Sequence, residues 1–431
     1  MELLSPAGNL QKLHYAWAYG ADSAYIGLKH FSLRIKADNF FDDEYKVIKS
    51  LKEKYAKQGK PKKLLCALNI SFHNADLRAL ESEIDYFKNY PIDAFIVQDV
   101  GVVGLLKKHF PNTALHLSTQ ANCINVQAVK VYSDMGFSRI VLGREVGLNE
   151  VAEIKSAVPE MELECFAHGA MCIAYSGRCL ISAYLTGRSA NSGFCSHSCR
   201  WNYQVVQKDG GAKELLQTEE FGKTLAVEEQ ERKGEYFPVE EGENYTALFS
   251  SKDICMIDYL FEMQKAGVDA IKIEGRMKSL YYTALVTRAY RKKLDLLEGK
   301  ISEDEARPFI DELYNTAHRE FSTGFYFSPD DANKTTVGKS SFSYVMMGTI
   351  GKKIAENKFE FISMNKLTAG TPIEFVGPDT HPIEDSNYIL KNPETEETRD
   401  WVCHGHGCVI ITDKPIKEDF IVRVKAVEDN N

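Results

Sequence analysis

Short apolar runs alternate with amphipathic helical stretches through residues 1–275 of this 431-residue chain, and no other feature limits its fold as tightly. The runs that read as strands lie at 2–5, 23–27, 64–70, 94–98, 115–119, 139–142, 163–167 and 270–273. Helical periodicity fills most of the gaps, at 9–19, 77–89, 101–109, 126–135 and 147–157. Strand, helix, strand at this spacing means parallel pairing through crossovers. Eight such strands equal the count of a closed (β/α)8 barrel. A doubly wound open sheet is the alternative, but no Gly-x-Gly-x-x-Gly follows the first strand.

A barrel of this kind carries its chemistry at the C-terminal ends of its strands. The residues there are Pro6-Ala-Gly8, Leu28-Lys29, Ser71-Phe-His73, Asp99, Gln120-Ala-Asn122, Gly143-Arg144-Glu145, His168-Gly-Ala and Glu274-Gly-Arg276. This ring is polar and partly ionisable. His73 and His168 titrate near neutrality and are candidates for moving protons, with Glu274 beside them. Arg144, Arg178 and Arg276 have the forked cations that bind carboxylates bidentately. Taken singly, each of these residues is more often a structural contact than a catalytic one.

The alternation breaks twice. A charged insertion at about 200–248, with Glu-Glu-Gln-Glu-Arg-Lys-Gly-Glu at 228–235, reads as a solvated excursion or lid. After helices at 280–298 and 302–317 the pattern changes near residue 340, where alternating runs at 343–350, 359–365, 371–375, 408–412 and 420–424 predict a small antiparallel β-barrel. The expected domains are therefore 1–335, an α/β TIM-like barrel with an inserted cysteine-rich segment, and 340–431.

Cys172, Cys179, Cys195 and Cys199 fall directly after the seventh strand, so they should sit at the mouth of the barrel's active face. Four thiolates so close in sequence match an all-sulfur ligand set. Structural zinc sites use paired short Cys-x2–4-Cys knuckles. Only Cys195-x3-Cys199 is that short here, and Gly177, Gly187 and Gly193 allow the chain to wrap a bulky group, which favours a four-iron four-sulfur cluster over zinc. Cys255 competes with Cys199 as fourth ligand, or is a buried thiol at a helix start. Cys66, Cys123 and Cys165 read as buried thiols. Cys403-His404-Gly-His406-Gly-Cys408 has ligand types for a second metal, although a loop with fortuitous ligand types fits it better. The opening Met1-Glu-Leu-Leu-Ser-Pro has neither a basic nor an apolar leader region, and no apolar run approaches a membrane span, so a cytoplasmic protein without structural disulfides is expected.

The formal net charge of −9 argues against indiscriminate coating of nucleic acid but leaves room for local basic patches, at 49–63 and 276–293. Such runs are usually solvated helix faces. No His-Glu-x-x-His or Gly-x-Ser-x-Gly is present.

Glu164-x-Phe166-x-x-Gly169-Ala-Met-Cys172-x4-Gly177-x-Cys179-x-Ile-Ser182 resembles the signature of the collagenase-like peptidase family U32. Glu2-Leu-Leu-Ser-Pro-Ala-Gly-Asn9, the stretch at 20–27 and Ile273-Glu-Gly-Arg276 look like the same family, over roughly residues 1–330, and the terminal barrel looks like its C-terminal domain. Cys195-x3-Cys199-Arg-Trp, Tyr236-Phe-Pro-Val-Glu-Glu and Ser251-Lys-Asp253 are most similar to its tRNA-hydroxylating branch. That resemblance implies formation of 5-hydroxyuridine at the tRNA wobble position with prephenate as co-substrate. It also implies a four-iron four-sulfur cluster on Cys172, Cys179 and Cys195, with Cys199 or Cys255 completing the set. The expected partners are a tRNA anticodon loop, prephenate, and a second copy of the chain or a related subunit. A peptidase built on Cys172 and His168 is the runner-up, but a cluster-bound thiolate is not a free nucleophile. A non-catalytic, cluster-bearing RNA-binding scaffold is the third reading.

Overall fold

The computed structural model describes residues 1–28, 31–32, 40, 43–172, 174–186, 188–199, 251–328 and 342–426, and within 200–250 only short backbone elements. Eight parallel strands close into a barrel: β1 (Glu2–Pro6), β2 (Ser23–Ile26), β3 (Lys63–Leu68), β4 (Ala94–Val97), β5 (Ala114–Leu117), β6 (Arg139–Val141), β7 (Glu162–Ala170) and β8 (Ala270–Ile273). They pair in chain order, and β8 pairs with both β7 (Ala270 opposite Glu164) and β1 (Ala270 opposite Glu2). That second pairing closes the ring and excludes the open sheet.

The crossovers carry α1 (Leu10–Ala18), α2 (Glu44–Lys57), α3 (Asn74–Ser82), α4 (Ile84–Asn89), α5 (Val103–His109), α6 (Val126–Asp134) and α7 (Leu148–Ala157). The helix expected at 77–89 is two. Asp76 caps the first by accepting from the His73 backbone N–H at 2.9 Å, and the chain breaks at Glu83, whose φ of −100° and ψ of 2° leave the helical region. The stretch at 101–109 begins as a single 3-10 turn, because the Asp99 carboxylate accepts from the Gly101 N–H at 2.9 Å. The long β7–β8 crossover holds α8 (Ile181–Thr186) and α9 (Leu260–Lys265). Between them lie three antiparallel hairpins, 206–209 with 212–215, 226–228 with 236–238, and 240–242 with 245–247. The charged 228–235 stretch read as a lid falls largely outside the described residues.

Strands enclosed on both faces lose the apolar–polar alternation, and Leu64 to Leu68 of β3 are all buried. The inner faces of the other strands are not all apolar. Arg139 on β6 donates to Glu2 (3.0 and 2.9 Å), Glu162 (2.7 Å) and Glu164 (3.2 Å), and Lys272 on β8 donates to Glu164 at 2.8 Å. Glu164 is fully buried. Burial alone would raise its carboxyl, but Lys272 and Arg139 more than offset this and hold it below the ordinary value.

Compactness does not follow chain order. One unit comprises Met1–Leu10, Ser23–Met277 and Arg319–Ser340; the other comprises Gln11–Asp22, Lys278–His318 and Ser341–Asn431. The second unit contains α10 (Leu280–Leu297), α11 (Glu303–Asp311) and a seven-stranded antiparallel half-barrel: β9 (Tyr344–Ala355), β10 (Lys358–Ser363), β11 (Ile373–Val376), β12 (Ile383–Asp385), β13 (Ile389–Lys391), β14 (Cys408–Ile411) and β15 (Ile421–Lys425). Their spatial order is β12-β11-β15-β9-β10-β14-β13. The short strands β12 and β13 were not visible in the sequence pattern, since neither is long enough to show a period. Tyr15, Tyr19, Leu280, Tyr281 and Leu285 share a core with Val376 and Ile421, which is why these distant segments form one unit. No helix among the described residues is long and apolar enough to cross a membrane.

Candidate active site

A cavity of about 130 Å³ opens at the C-terminal ends of the barrel strands, well above the ~10–15 Å³ that holds one water. Tyr25, Ala67, Ile96, Val141, Phe166 and Lys272 line it from the strands, and Asn69, Gln120, Arg144, Glu274 and Arg276 from the loops that follow them. Cys172, Cys179, Cys195 and Cys199 line the same cavity. The cysteine segment and the barrel mouth therefore form one site, as the position of Cys172 after β7 predicts.

Specific hydrogen bonds fasten the cysteine segment. Both Ser176 donors, N–H and Oγ, reach the Glu145 carboxylate, the latter at 2.5 Å. The Arg178 Nε donates to the Gln120 carbonyl at 3.0 Å, and the Cys179 N–H donates to Asn191 Oδ1 at 3.2 Å. Buried Ser182 joins the two halves of the motif. Its Oγ donates to the Arg188 carbonyl (2.8 Å), accepts from the Ser196 N–H (3.0 Å) and meets Ser196 Oγ at 2.9 Å. Gly177 (φ +78°) and Gly193 (φ +94°) adopt the left-handed backbone that the wrapping requires. Gly187, grouped with them in the sequence, lies outside the described residues, as does Lys29 of the polar ring.

The cations of the cavity are anchored differently. The Arg144 guanidinium stacks 3.7 Å over the Phe166 ring centroid, and its buried Nε has no hydrogen-bond partner among the described residues. Arg276 is buried and donates to Ser32 Oγ at 3.2 Å. Lys272 stands 4.5 Å from the Tyr25 ring centroid while held by Glu164. The Tyr25 hydroxyl donates to the Glu274 carboxylate at 3.4 Å. Sequence reasoning missed Lys272. Its signal was present: a lysine within the otherwise apolar strand Ala-Ile-Lys-Ile has to find a buried counter-charge.

Four residues named from the sequence lie outside the cavity lining. His73 is exposed at the start of α3. His168 is buried on β7, its ring centroid 5.3 Å from that of Phe321. Arg178 is exposed and acts on the Gln120 backbone. Cys255 lies on a three-residue strand, Asp253–Cys255, paired opposite His168, rather than at a helix start. The difference has a simple cause: Asp253 is gripped by Arg319 (Nη2 to Oδ1, 2.5 Å), which holds this segment along β7.

All the cysteines are free thiols. Cys66, Cys123 and Cys165 are buried, and burial pushes each thiol up to about 12, so they are inert. Among the described residues no three His, Cys, Asp or Glu side chains are grouped closely enough to hold one metal ion. This includes the Cys403–Cys408 stretch, a turn with exposed His404 and His406. A tetrahedral zinc at ~2.3 Å from each sulfur would require its four ligands almost in contact.

Neither basic stretch is a simple free patch. In the 49–63 stretch Lys52 and Lys63 pair with Asp93 and Glu2. In the other, Arg288 is buried, Arg291 pairs with Asp22 and Asp295, and Lys292 with Asp379.

The profile of peptidase family U32 matches residues 8–336. The chain is 35% identical over 415 residues to tRNA hydroxylation protein P of Escherichia coli, covering 91% of this chain and 89% of that protein. It is 34% identical over 297 residues to the 23S rRNA 5-hydroxycytidine synthase of the same organism, covering 69% of this chain and 40% of that one. A collagenase of Porphyromonas gingivalis is 28% identical over 422 residues, covering 91% of each chain. The cysteine signature, the barrel and the extent of these matches agree, and the chain belongs to peptidase family U32.

Proposed function

We propose that this chain is an RNA-modifying enzyme that hydroxylates the wobble uridine of tRNA to 5-hydroxyuridine, with prephenate as co-substrate and in the cytoplasm. The names of its relatives support RNA hydroxylation as the reaction class. The observation that carries the reading is the meeting of four cysteines with Arg144, Lys272, Glu274 and Arg276 in one cavity. Replacing a pyrimidine C–H by C–OH is a two-electron oxidation that also requires an oxygen atom. In this reading the co-substrate donates that oxygen and is itself reduced, and a bound cofactor would activate it, since side chains alone do not. Cys172, Cys179, Cys195 and Cys199 would hold a four-iron four-sulfur cluster, which supplies redox and Lewis-acid chemistry. Cys255 remains the alternative fourth ligand.

The protein's own groups have separable roles. Arg144, Lys272 and Arg276 would bind the carboxylates of the small co-substrate, and the Phe166 and Tyr25 rings position two of those cations. Glu274, which accepts from the Tyr25 hydroxyl, would exchange a proton within the cavity. An unpaired anticodon base can be splayed out of its loop to reach such a mouth.

The test is anaerobic purification with iron, sulfide and zinc quantified, followed by incubation with unmodified tRNA and prephenate and mass analysis of the nucleosides. Iron and sulfide for one four-iron cluster, lost on replacing Cys172, Cys179 or Cys195, and 5-hydroxyuridine in the product support the reading. Separate Cys199 and Cys255 variants decide the fourth ligand. Zinc alone, or no metal together with gelatin cleavage, refutes it. The second of these outcomes returns the peptidase reading favoured by the collagenase relative.

A further inference from the structure

The outer side of the cysteine segment carries exposed apolar side chains that the cavity does not use. Leu180 is 78% exposed and Tyr184 88% exposed, and Phe194 is also exposed. Tyr184 N–H donates to the carbonyl of Leu180, the residue just before α8, at 2.8 Å, so the two lie one turn apart on the same side. The opposite face of α8 carries Ser182, buried and lining the cavity. Through Ser182 the backbone of exposed Arg188 is tied to this helix, and the Phe194 N–H bonds back to the Ser189 carbonyl at 3.0 Å.

Charge identifies what such a surface suits. From Cys165 to Cys199 the chain contains no Asp or Glu, although acids make up 61 of its 431 residues and a stretch of this length would average about five. Arg178 and Arg188 are the charged residues there, and both are exposed. A protein-binding apolar patch needs no such exclusion of acids. A polyanion with flat apolar faces does need it: phosphates are repelled by carboxylates, and every base offers a π-face to an exposed aromatic ring.

We propose that Leu180, Tyr184, Arg188 and Phe194, with Arg178 at the edge, form a stacking platform for the unpaired loop of the RNA substrate, beside the cavity that receives its reacting base. This rests on the RNA-modifying reading and names the surface through which that substrate docks. Tyr184 supplies a ring on which a neighbouring base stacks, and Arg188 meets the backbone phosphate. Single-stranded loop RNA is favoured over duplex because paired bases offer no free face.

The experiment is direct binding of a labelled anticodon stem-loop, and of a fully paired hairpin of equal length, to the full chain across a salt series. Tyr184→Ala should weaken loop binding about ten-fold or more, while Tyr184→Phe, which keeps the ring, should bind as the unaltered protein does. Arg188→Gln should reduce the slope of log affinity against log salt by about 0.7. Circular dichroism and iron content, unchanged in each variant, verify folding. If the unaltered protein binds the loop and the Tyr184→Ala or Tyr184→Leu protein binds it equally well, the platform is refuted while the RNA reading stands. A Tyr184→Leu protein that keeps full affinity marks an apolar contact of the kind proteins make. If the unaltered protein neither binds loop RNA nor modifies it, the underlying reading fails first.

Discussion

Glu164→Gln is the substitution that most directly tests the charged interior of the barrel. Glu164 is fully buried and shares its two oxygens between Lys272 at 2.8 Å and Arg139 at 3.2 Å. Gln has nearly the same shape, so no cavity is created and the change isolates charge. Arg139 keeps its bidentate contact with Glu2 at 3.0 and 2.9 Å and its bond to Glu162 at 2.7 Å. The penalty therefore falls on Lys272, whose ammonium loses its buried counter-charge. Breaking one side of a buried ion pair costs about 3–5 kcal/mol. Adding Lys272→Met removes the orphaned charge, so the double variant should be more stable than Glu164→Gln alone, with a coupling of about 1–3 kcal/mol. Urea denaturation followed by far-ultraviolet circular dichroism measures both. If the single variant costs under about 1 kcal/mol, or the double variant costs the sum of the two singles, Glu164 does not serve as the counter-ion of Lys272.

Other consequences can be checked separately. His116 is held down to about 3, mainly by burial and next by Arg139, so the unfolded chain takes up a proton near 6.5 that the folded one refuses. Its contribution is absent above that value, and stability should fall as pH drops from about 6.5 toward 3, at up to ~1.4 kcal/mol per pH unit; His116→Gln should flatten a urea-stability profile over that window. In the second unit, Arg423 is fully buried against Glu312 and Glu374, the latter at 2.6 Å. Glu312→Ala should cost about 3–5 kcal/mol there and speed amide exchange in β15, whereas unchanged exchange would show that Glu374 alone suffices. Ser182→Ala removes the hydroxyl that joins both halves of the cysteine segment, and it should lower iron retention after dialysis while leaving the far-ultraviolet spectrum intact. Retention equal to that of the unaltered protein would show that the other fasteners hold the cysteines without it.

The strands were legible because each is a run of apolar residues bounded by a helical period, and that information is local. All eight barrel strands overlap the runs that the pattern marks, and 270–273 matches to the residue. The break at Glu83 was not legible, because apolar spacing runs across it unchanged. Nor was the assignment of α1 and α10 to the second unit, because a helix's apolar face does not name its partner.

The site divides in the same way. Sequence alone determined that four cysteines follow the seventh strand and that Arg144, Glu274 and Arg276 end the sixth and eighth. Only the tertiary structure decided that Lys272 joins the cavity lining, and that His73, His168, Arg178 and Cys255 are not part of it. Closure of the ring brings the Tyr25 hydroxyl to the Ile273 carbonyl, 3.0 Å away across 248 residues of chain. Periodicity reports which side of an element a residue occupies. Which distant side chain it meets depends on closure, register and buried charge pairing, and these exist only once the barrel is complete.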